Sequence, residues 1–427
     1  MAPDNVFNTA DEVFTPGREP LVTYNPRQEL DIEGEVHRFL RKPGYVLTVS
    51  GPSKSGKTVL VEKIIPRTGA IWMTGAEIKS IDDFLNRIIS HHQAVSEVTT
   101  EKASSKGAGA KIGVSAGIPK ALQGSAELSG SAQQGSRVSE KRTIDKVETV
   151  KALLETHQTR IVVDDFHYVS DDLKIDLTRT IKEFIRFCFV VFIAVPQDAY
   201  DAVRLETDMN SRVWQLEIPD WTSQELLYIS REGFKALGLM DPQDEIGNGF
   251  ATESLGAPFL MQRLCLEYCI DNGYERERYI KINVAPLRDH QRFYSRVAKR
   301  HVPGVFDFLM KGPRTKGTAR VARVLKSGEQ TDIYGAILYA VSNLPPRRDI
   351  PLRMLTLKLS DVLTEGPRLS NVTSALGHLA DIAEKNRGTS DATVAFKDDT
   401  LYLADPFLAF YLRHGNWKLP SLPEDSI

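Results

Sequence analysis

The sequence predicts an α/β fold: a three-layer core around a parallel sheet, then further helices, then a C-terminal winged-helix domain. Three observations carry this expectation. Apolar runs suited to strands, YVLTVS (45–50), AIWM (70–73), TRIVVDDF (159–166), FVVFIAV (189–195) and VWQLEI (213–218), alternate with helical patterns. Strands alternating with helices imply parallel pairing with both sheet faces covered. The octet GPSKSGKT (51–58) joins the first of these runs to the apolar helix TVLVEKII. After Thr331, three helical stretches precede two short strand-like runs around Lys397–Asp398–Asp399, which is the element order of a winged helix.

Residues 1–40 form an approach segment, with a helix expected from about Gln28, and the core is expected over 41–220. Within it, Ser80 reads as the N-cap of IDDFLNRIISHH, whose Ile81, Phe84, Leu85 and Ile88 share one face. Residues 99–140, rich in Gly, Ala, Ser and Gln, interrupt the pattern. They read either as a surface insertion or, because Ile112, Val114, Ala116 and Ile118 alternate, as a projecting β-hairpin completed by GSAELSGSA. A helical region (221–290) and a basic connecting segment (291–330) lead to the last domain, 331–427. There TDIYGAILYAVSNL reads as an amphipathic helix, IPLRMLTLKLSDVL and NVTSALGHLADIAEK as two more, and DPFLAFYLRHGNW as a helix that packs back.

The 427 residues suit two or three domains. A net charge of -2 excludes a global field drawing the chain to nucleic acid or membrane. One stretch departs from that balance: 288–326 holds eleven Lys or Arg against Asp289 and Asp307, a local excess of +9. It reads either as a solvated helix face or as a phosphate-binding stripe for DNA of any sequence. The longest apolar run, 187–195, is shorter than the roughly 20 residues that span a bilayer. The N-terminus shows neither the basic start nor the apolar h-region of a secretory signal. Cys188, Cys265 and Cys269 make no CxxC and read as reduced core residues, so a cytoplasmic location is expected.

The octet matches G-x-x-x-x-G-K-[ST] at every fixed position. A loop between strand and helix turns successive backbone N–H groups toward phosphate oxygens, here from Gly51, Pro52, Ser53, Lys54, Ser55 and Gly56, proline supplying no N–H itself. Lys57 is expected to reach the β- and γ-phosphates of ATP, and the Thr58 hydroxyl to ligate Mg²⁺. Asp164 and Asp165 end a buried strand, which delivers acids to the carboxyl edge of the sheet beside the loop. Asp164 is expected to hold Mg²⁺ through water, and Asp165 to orient or deprotonate the attacking water. His167 is given no role.

The P-loop and the IVVDD strand resemble the AAA+/STAND group of P-loop ATPases, in the branch with origin-recognition-like and transposition-regulator ATPases. YNPRQEL resembles that group's box upstream of the P-loop, NSRVWQLEIPDWTSQEL the strand leading into its lid helices, and GAPFLMQRL its lid motif, so the likeness covers roughly 20–290. The resemblance implies that Arg27 supports base or ribose binding, that Pro258 packs on the adenine, and that Gln197 senses the γ-phosphate. It also implies that Arg212 is a finger presented to the next subunit, with Arg204 as the fallback. Asp165 stands where many of these ATPases have Glu, which implies a shorter reach and slow turnover. The implied function is an oligomerising, nucleotide-dependent switch with a separate effector protein, in bacterial defence or signalling. The alternative is a DNA-associated ATPase resembling origin-binding or transposition regulators. The helix NVTSALGHLADIAEK offers Asn371, Thr373, Ser374 and His378 but no internal basic residue, which favours a protein partner over base reading.

Overall fold

The computed structural model of the chain describes residues 8–104, 135–194, 207–314, 320–386 and 393–420. They form two compact units, one of Gln28–Gly51 with Lys57–Ile218, the other of Met1–Arg27, Pro52–Gly56 and Pro219–Ile427. The expected hairpin within 111–132 lies outside the described residues.

In the first unit five strands, β1 (Val46–Ser50), β2 (Ile71–Thr74), β3 (Thr159–Asp164), β4 (Cys188–Ile193) and β5 (Val213–Glu217), form one sheet. Its order is β2-β3-β4-β1-β5, and every pairing is parallel. Because side chains alternate across a strand, each strand supplies both faces. Val46, Ile71, Met73, Ile161, Val163, Val190 and Phe192 enter one core, while Leu47, Val49, Trp72, Val162, Val191 and Leu216 enter the other. The second of these cores is closed by α1 (Ile32–Phe39), through Ile32, Val36 and Phe39, and by α2 (Lys57–Ile64), through Leu60 and Val61. The first is closed by α3 (Ile81–Ser104), α4 (Gly135–Thr156) and α5 (Asp171–Phe184). Phe84, Leu85 and Ile88, then Val150 and Leu154, then Leu177, Ile181 and Phe184 carry that contact. The three layers expected from the sequence are therefore present. Ser80 caps α3 as expected, its Oγ accepting from Asp83 N at 3.1 Å. That helix and α4 extend into both ends of the 99–140 stretch, so those ends are helical.

From Pro219 onward the second unit runs through α6 (Ser223–Ala236), α7 (Glu245–Glu253), α8 (Pro258–Asp271) and α9 (His290–Lys299). Next come α10 (Ile333–Ser342), β6 (Asp349–Pro351), α11 (Leu352–Val362) and α12 (Leu369–Lys385). The hairpin β7 (Val394–Lys397) and β8 (Thr400–Leu403) and the closing α13 (Pro406–His414) complete it. From α10 onward the order is helix, strand, two helices, two strands, with β6 pairing β8 antiparallel. β6 was not expected: Ile350 and Pro351 read as helix, and Pro351 instead ends an edge strand, where the lack of an N–H costs least. The hairpin turn is Asp398–Asp399, both with left-handed φ (48° and 53°), as a two-residue turn requires. α10 is buried nearly all round rather than amphipathic, through Tyr334, Ala336, Ile337, Leu338, Ala340 and Val341. Cys188, Cys265 and Cys269 are all buried and unpaired with one another. Among the described residues no helix is long and apolar enough to cross a membrane.

Candidate nucleotide site

The octet lies between the carboxyl end of β1 and the start of α2. Gly51 (φ 155°) and Gly56 (φ 92°) take positive φ that a side chain disfavours, and nothing lies within 4 Å of a Cβ added at Gly56. Lys54 is also left-handed, at φ 62°. Lys57 Nζ donates to Gly51 O at 2.8 Å, so the ammonium closes the loop onto its own first carbonyl.

Register delivers the acids. β2 and β3 pair with Thr74 opposite Asp164, so Asp164 is the last paired residue of its strand. Thr58 Oγ1 donates to Asp164 Oδ1 at 3.2 Å. The same oxygen accepts from Asp165 N at 3.0 Å. Burial pushes the Asp164 carboxyl above its ordinary range, and the charge of Asp165 adds to it, against weaker opposition from the Thr58 hydrogen bond. A hydroxyl and a carboxylate joined in this way, in a partly buried place beside a second acid, form a hard oxygen set that suits Mg²⁺. Asp165 turns left-handed (φ 50°), and a Cβ at Gly75 would fall 2.4 Å from Asp165 O, so the loops after β2 and β3 pack backbone to backbone.

Arg212 precedes β5 and is partly exposed. Because Val213 pairs with Val46 and Glu217 with Ser50, Arg212 lies at the amino-terminal edge of the sheet, the edge opposite the phosphate loop. Five residues of strand separate the two edges, roughly 16 Å. Gln197 and Arg204 lie outside the described residues.

Arg27 and Pro258 belong to the second unit. Arg27 is 6% exposed and its donors are engaged: Nε to Glu225 Oε1 at 2.7 Å, Nη1 to Pro219 O at 3.0 Å and Nη2 to Asp220 O at 3.0 Å. Its guanidinium also lies 4.9 Å from the Trp221 ring centroid. Glu225 has a second task. It completes a capping box with Thr222, the N-cap of α6, an S/T-x-x-E signal plain in TSQE. Arg27 therefore holds the Pro219–Trp221 segment. Pro258 opens α8 at its first position, where a missing N–H costs nothing. Arg263, one turn later, lies 3.7 Å from the buried Glu267.

Sequence reasoning also missed how the basic stripe is used. Arg296 and Arg300 close on Glu267, which is 2% exposed, and Arg296 also pairs with Asp271. Arg320 pairs with the buried Asp332 and lies over the Tyr334 ring. Phe293 and Tyr294, which stand among these basic residues in the sequence, are buried against Phe250. Lys316 lies outside the described residues. Arg288, Arg292 and Lys299 remain exposed on and just before α9, as do Lys311, Arg314 and Lys326 further along.

A parallel sheet of order β2-β3-β4-β1-β5, with the phosphate loop after β1 and paired acids ending β3, defines a P-loop ATPase fold of AAA+ type. Among solved structures, the Aeropyrum pernix ORC2 protein in its ADPNP–ADP complexes is similar at 14% identity and TM-score 0.50, covering 95% of this chain and 96% of that one. Cdc6p from Pyrobaculum aerophilum is 14% identical at TM-score 0.41, with 94% and 97% covered. The Aeropyrum pernix ORC1 protein in complex with DNA is 15% identical at TM-score 0.42, with 95% and 96% covered. No protein-family model matches the sequence, and no curated protein matches it. The fold is that of the origin-recognition-like AAA+ ATPases.

Proposed function

We infer that this chain binds and hydrolyses ATP at residues 51–58 and uses the nucleotide to control assembly with further copies of itself. The observation that supports it most is the joined set of Thr58 Oγ1 and Asp164 Oδ1, 3.2 Å apart, beside Asp165 and the Lys57-closed loop. In this reading the loop's N–H groups bind the phosphates and Lys57 leaves Gly51 O for the β- and γ-oxygens. Thr58 and Asp164 hold Mg²⁺, which when bound neutralises charge on those oxygens. Asp165 orients the attacking water and accepts its proton. Gln197 senses the γ-phosphate. Pro258 packs on the adenine, and Arg27 contributes by holding the Pro219–Trp221 segment rather than by donating to the base. Arg212, at the sheet edge away from its own phosphate loop, is offered to the site of a neighbouring copy. The second unit then divides into a lid over 221–290, a connecting segment over 291–330 and a winged helix from 331.

The test is equilibrium binding of a fluorescent ATP analogue together with phosphate release, with and without Mg²⁺. Wild type should bind and turn over, and ATP should raise its mass in light scattering. Arg212→Ala should lower turnover without lowering nucleotide affinity. A monomer at full activity with ATP would remove Arg212 and assembly from the mechanism.

A second reading, DNA association, is favoured by the exposed Arg288, Arg292 and Lys299 along α9 and the turn before it. A defence or signalling role with a separate effector draws no support from any likeness reported above.

A further inference from the structure

The arc Pro52–Gly56 groups with the second unit, although Gly51 and Lys57 on either side of it group with the first. Two attachments account for this. Trp221 Nε1 donates to Ser55 O at 2.8 Å. Lys54 carries its ammonium 5.3 Å from the Phe407 ring centroid and 5.7 Å from that of Phe259, while remaining exposed on its other side. The two rings meet edge to face at 5.3 Å, which places them as one aromatic seat. Phe407 stands in the first turn of α13, whose N-cap, Asp405, accepts from Phe407 N at 3.0 Å. Burial raises the Asp405 carboxyl, and the charges of Lys54 and Arg348 oppose that rise. The seat thus sets a cation near two rings, with the buried Asp405 at the start of the same helix turn.

Lys54 is left-handed, a backbone state that a lysine adopts at a cost and keeps only where its surroundings hold it. The same five-residue arc supplies the backbone N–H groups of the phosphate loop. A phosphate held by the arc would therefore lie against the backbone of the residue whose side chain the seat holds. Contacts that hold one loop path must also favour the nucleotide state that shares it.

We propose that Lys54 is a positioning residue that couples the phosphate loop to the first turn of α13 through the Phe259–Phe407 seat, slowing nucleotide release. This rests on the reading of residues 51–58 as the nucleotide site. The ligand is a nucleoside diphosphate or triphosphate.

The experiment uses the full chain and a fluorescent ADP analogue, with dissociation followed by stopped flow and amide exchange followed by mass spectrometry. Lys54→Ala and Phe407→Ala should each release the analogue about threefold to fivefold faster, the range expected for a cation–π contact at an exposed cation. Lys54→Arg and Phe407→Tyr, which keep a cation and a ring, should release at the wild-type rate. Nucleotide should protect the amides of 405–411 in wild type and not in Lys54→Ala. Should Phe407→Ala fail to fold, Lys54→Ala decides, since it changes an exposed loop side chain. Wild-type release rates in Lys54→Ala, or protection of 405–411 that survives it, would overturn the coupling while leaving nucleotide binding intact. No binding of the analogue by wild type would instead defeat the reading of the site, and the coupling with it.

Discussion

At the carboxyl edge of the first unit's sheet, Asp164 and Asp165 stand side by side with the Thr58 hydroxyl as the close partner. On α9 in the second unit, Arg296 and Arg300 close on a buried glutamate. Both regions gather like charges, but no cation pairs with Asp164 among the described ion pairs, and its carboxyl is raised first by burial and then by the neighbouring Asp165. The arginines have their charges answered by Glu267 and Asp271, and Arg320 has its own answered by Asp332. A cluster still seeking a counter-charge is poised for a ligand, whereas a cluster that has found one is part of the framework.

The sharpest way to break this contrast is at Asp165. Asp165→Asn should keep nucleotide affinity within about threefold while phosphate release falls by about 10²–10⁴, the usual contribution of a positioned base. Normal turnover in that variant would make the second acid a framework residue too. Lys57→Ala should weaken ATP binding by about a hundredfold, since a charged hydrogen bond contributes up to about 3 kcal/mol. Titration calorimetry measures it, and unchanged affinity would remove the loop from the site.

Protonation offers a third probe, confined to the first unit. Burial, with help from His157 and His91, pushes His92 down to about 4. Its unfolded value is near 6.5, so as pH falls the unfolded chain takes up the proton first. Stability from this group is complete above about pH 6.5 and is lost progressively toward pH 4, with a ceiling of about 3.5 kcal/mol at roughly 1.4 kcal/mol per pH unit that solvent screening lowers. Urea unfolding at several pH values should show that loss, and His92→Gln should flatten it.

The smallest effect concerns the exposed cations on and just before α9. If Arg288, Arg292 and Lys299 contact duplex phosphates, the log–log salt slope of binding should be about -3, at roughly -0.9 per contact. That counts only the three on and just before α9: Arg296, Arg300 and Arg320 have acidic partners, and the exposed Lys311, Arg314 and Lys326 lie further along the chain. Arg292→Glu with Lys299→Glu should abolish such binding, and a slope unchanged by them would move any DNA contact elsewhere.

What the sequence made legible followed from local rules. The octet dictates its own backbone, alternation along each strand dictates two buried faces, and Lys397–Asp398–Asp399 holds the two residues that accept a left-handed turn. What it hid depends on distant partners. Glu267 lies twenty-five residues or more before the arginines Arg296 and Arg300 that it binds, and nothing in its neighbourhood announces them. Phe293 and Tyr294 lie between Arg292 and Arg296 in the chain, yet they turn to Phe250 because burying a ring outweighs displaying it. Arg27 lies in a resemblance box, and only the fold shows its guanidinium filled by Glu225 and two carbonyls. Glu225 itself was readable from TSQE as a capping residue, though not as a partner for Arg27.

The left-handed turn at Asp165 carries a consequence for which acids this position accepts. Aspartate and asparagine tolerate that backbone far better than glutamate, because their short side chains bond locally. An acid one methylene longer would extend the reach of its carboxylate and, in the same change, lose the residue type that favours the kink. Asp165→Glu thus alters two quantities together, whereas Asp165→Asn alters charge alone. The neighbouring Gly75, pressed against the Asp165 carbonyl, leaves the kink no room to relax sideways. Side-chain length at this site is therefore inherited together with the path of the main chain, and a lineage that lengthened the acid would have to re-route the loop after β3 as well.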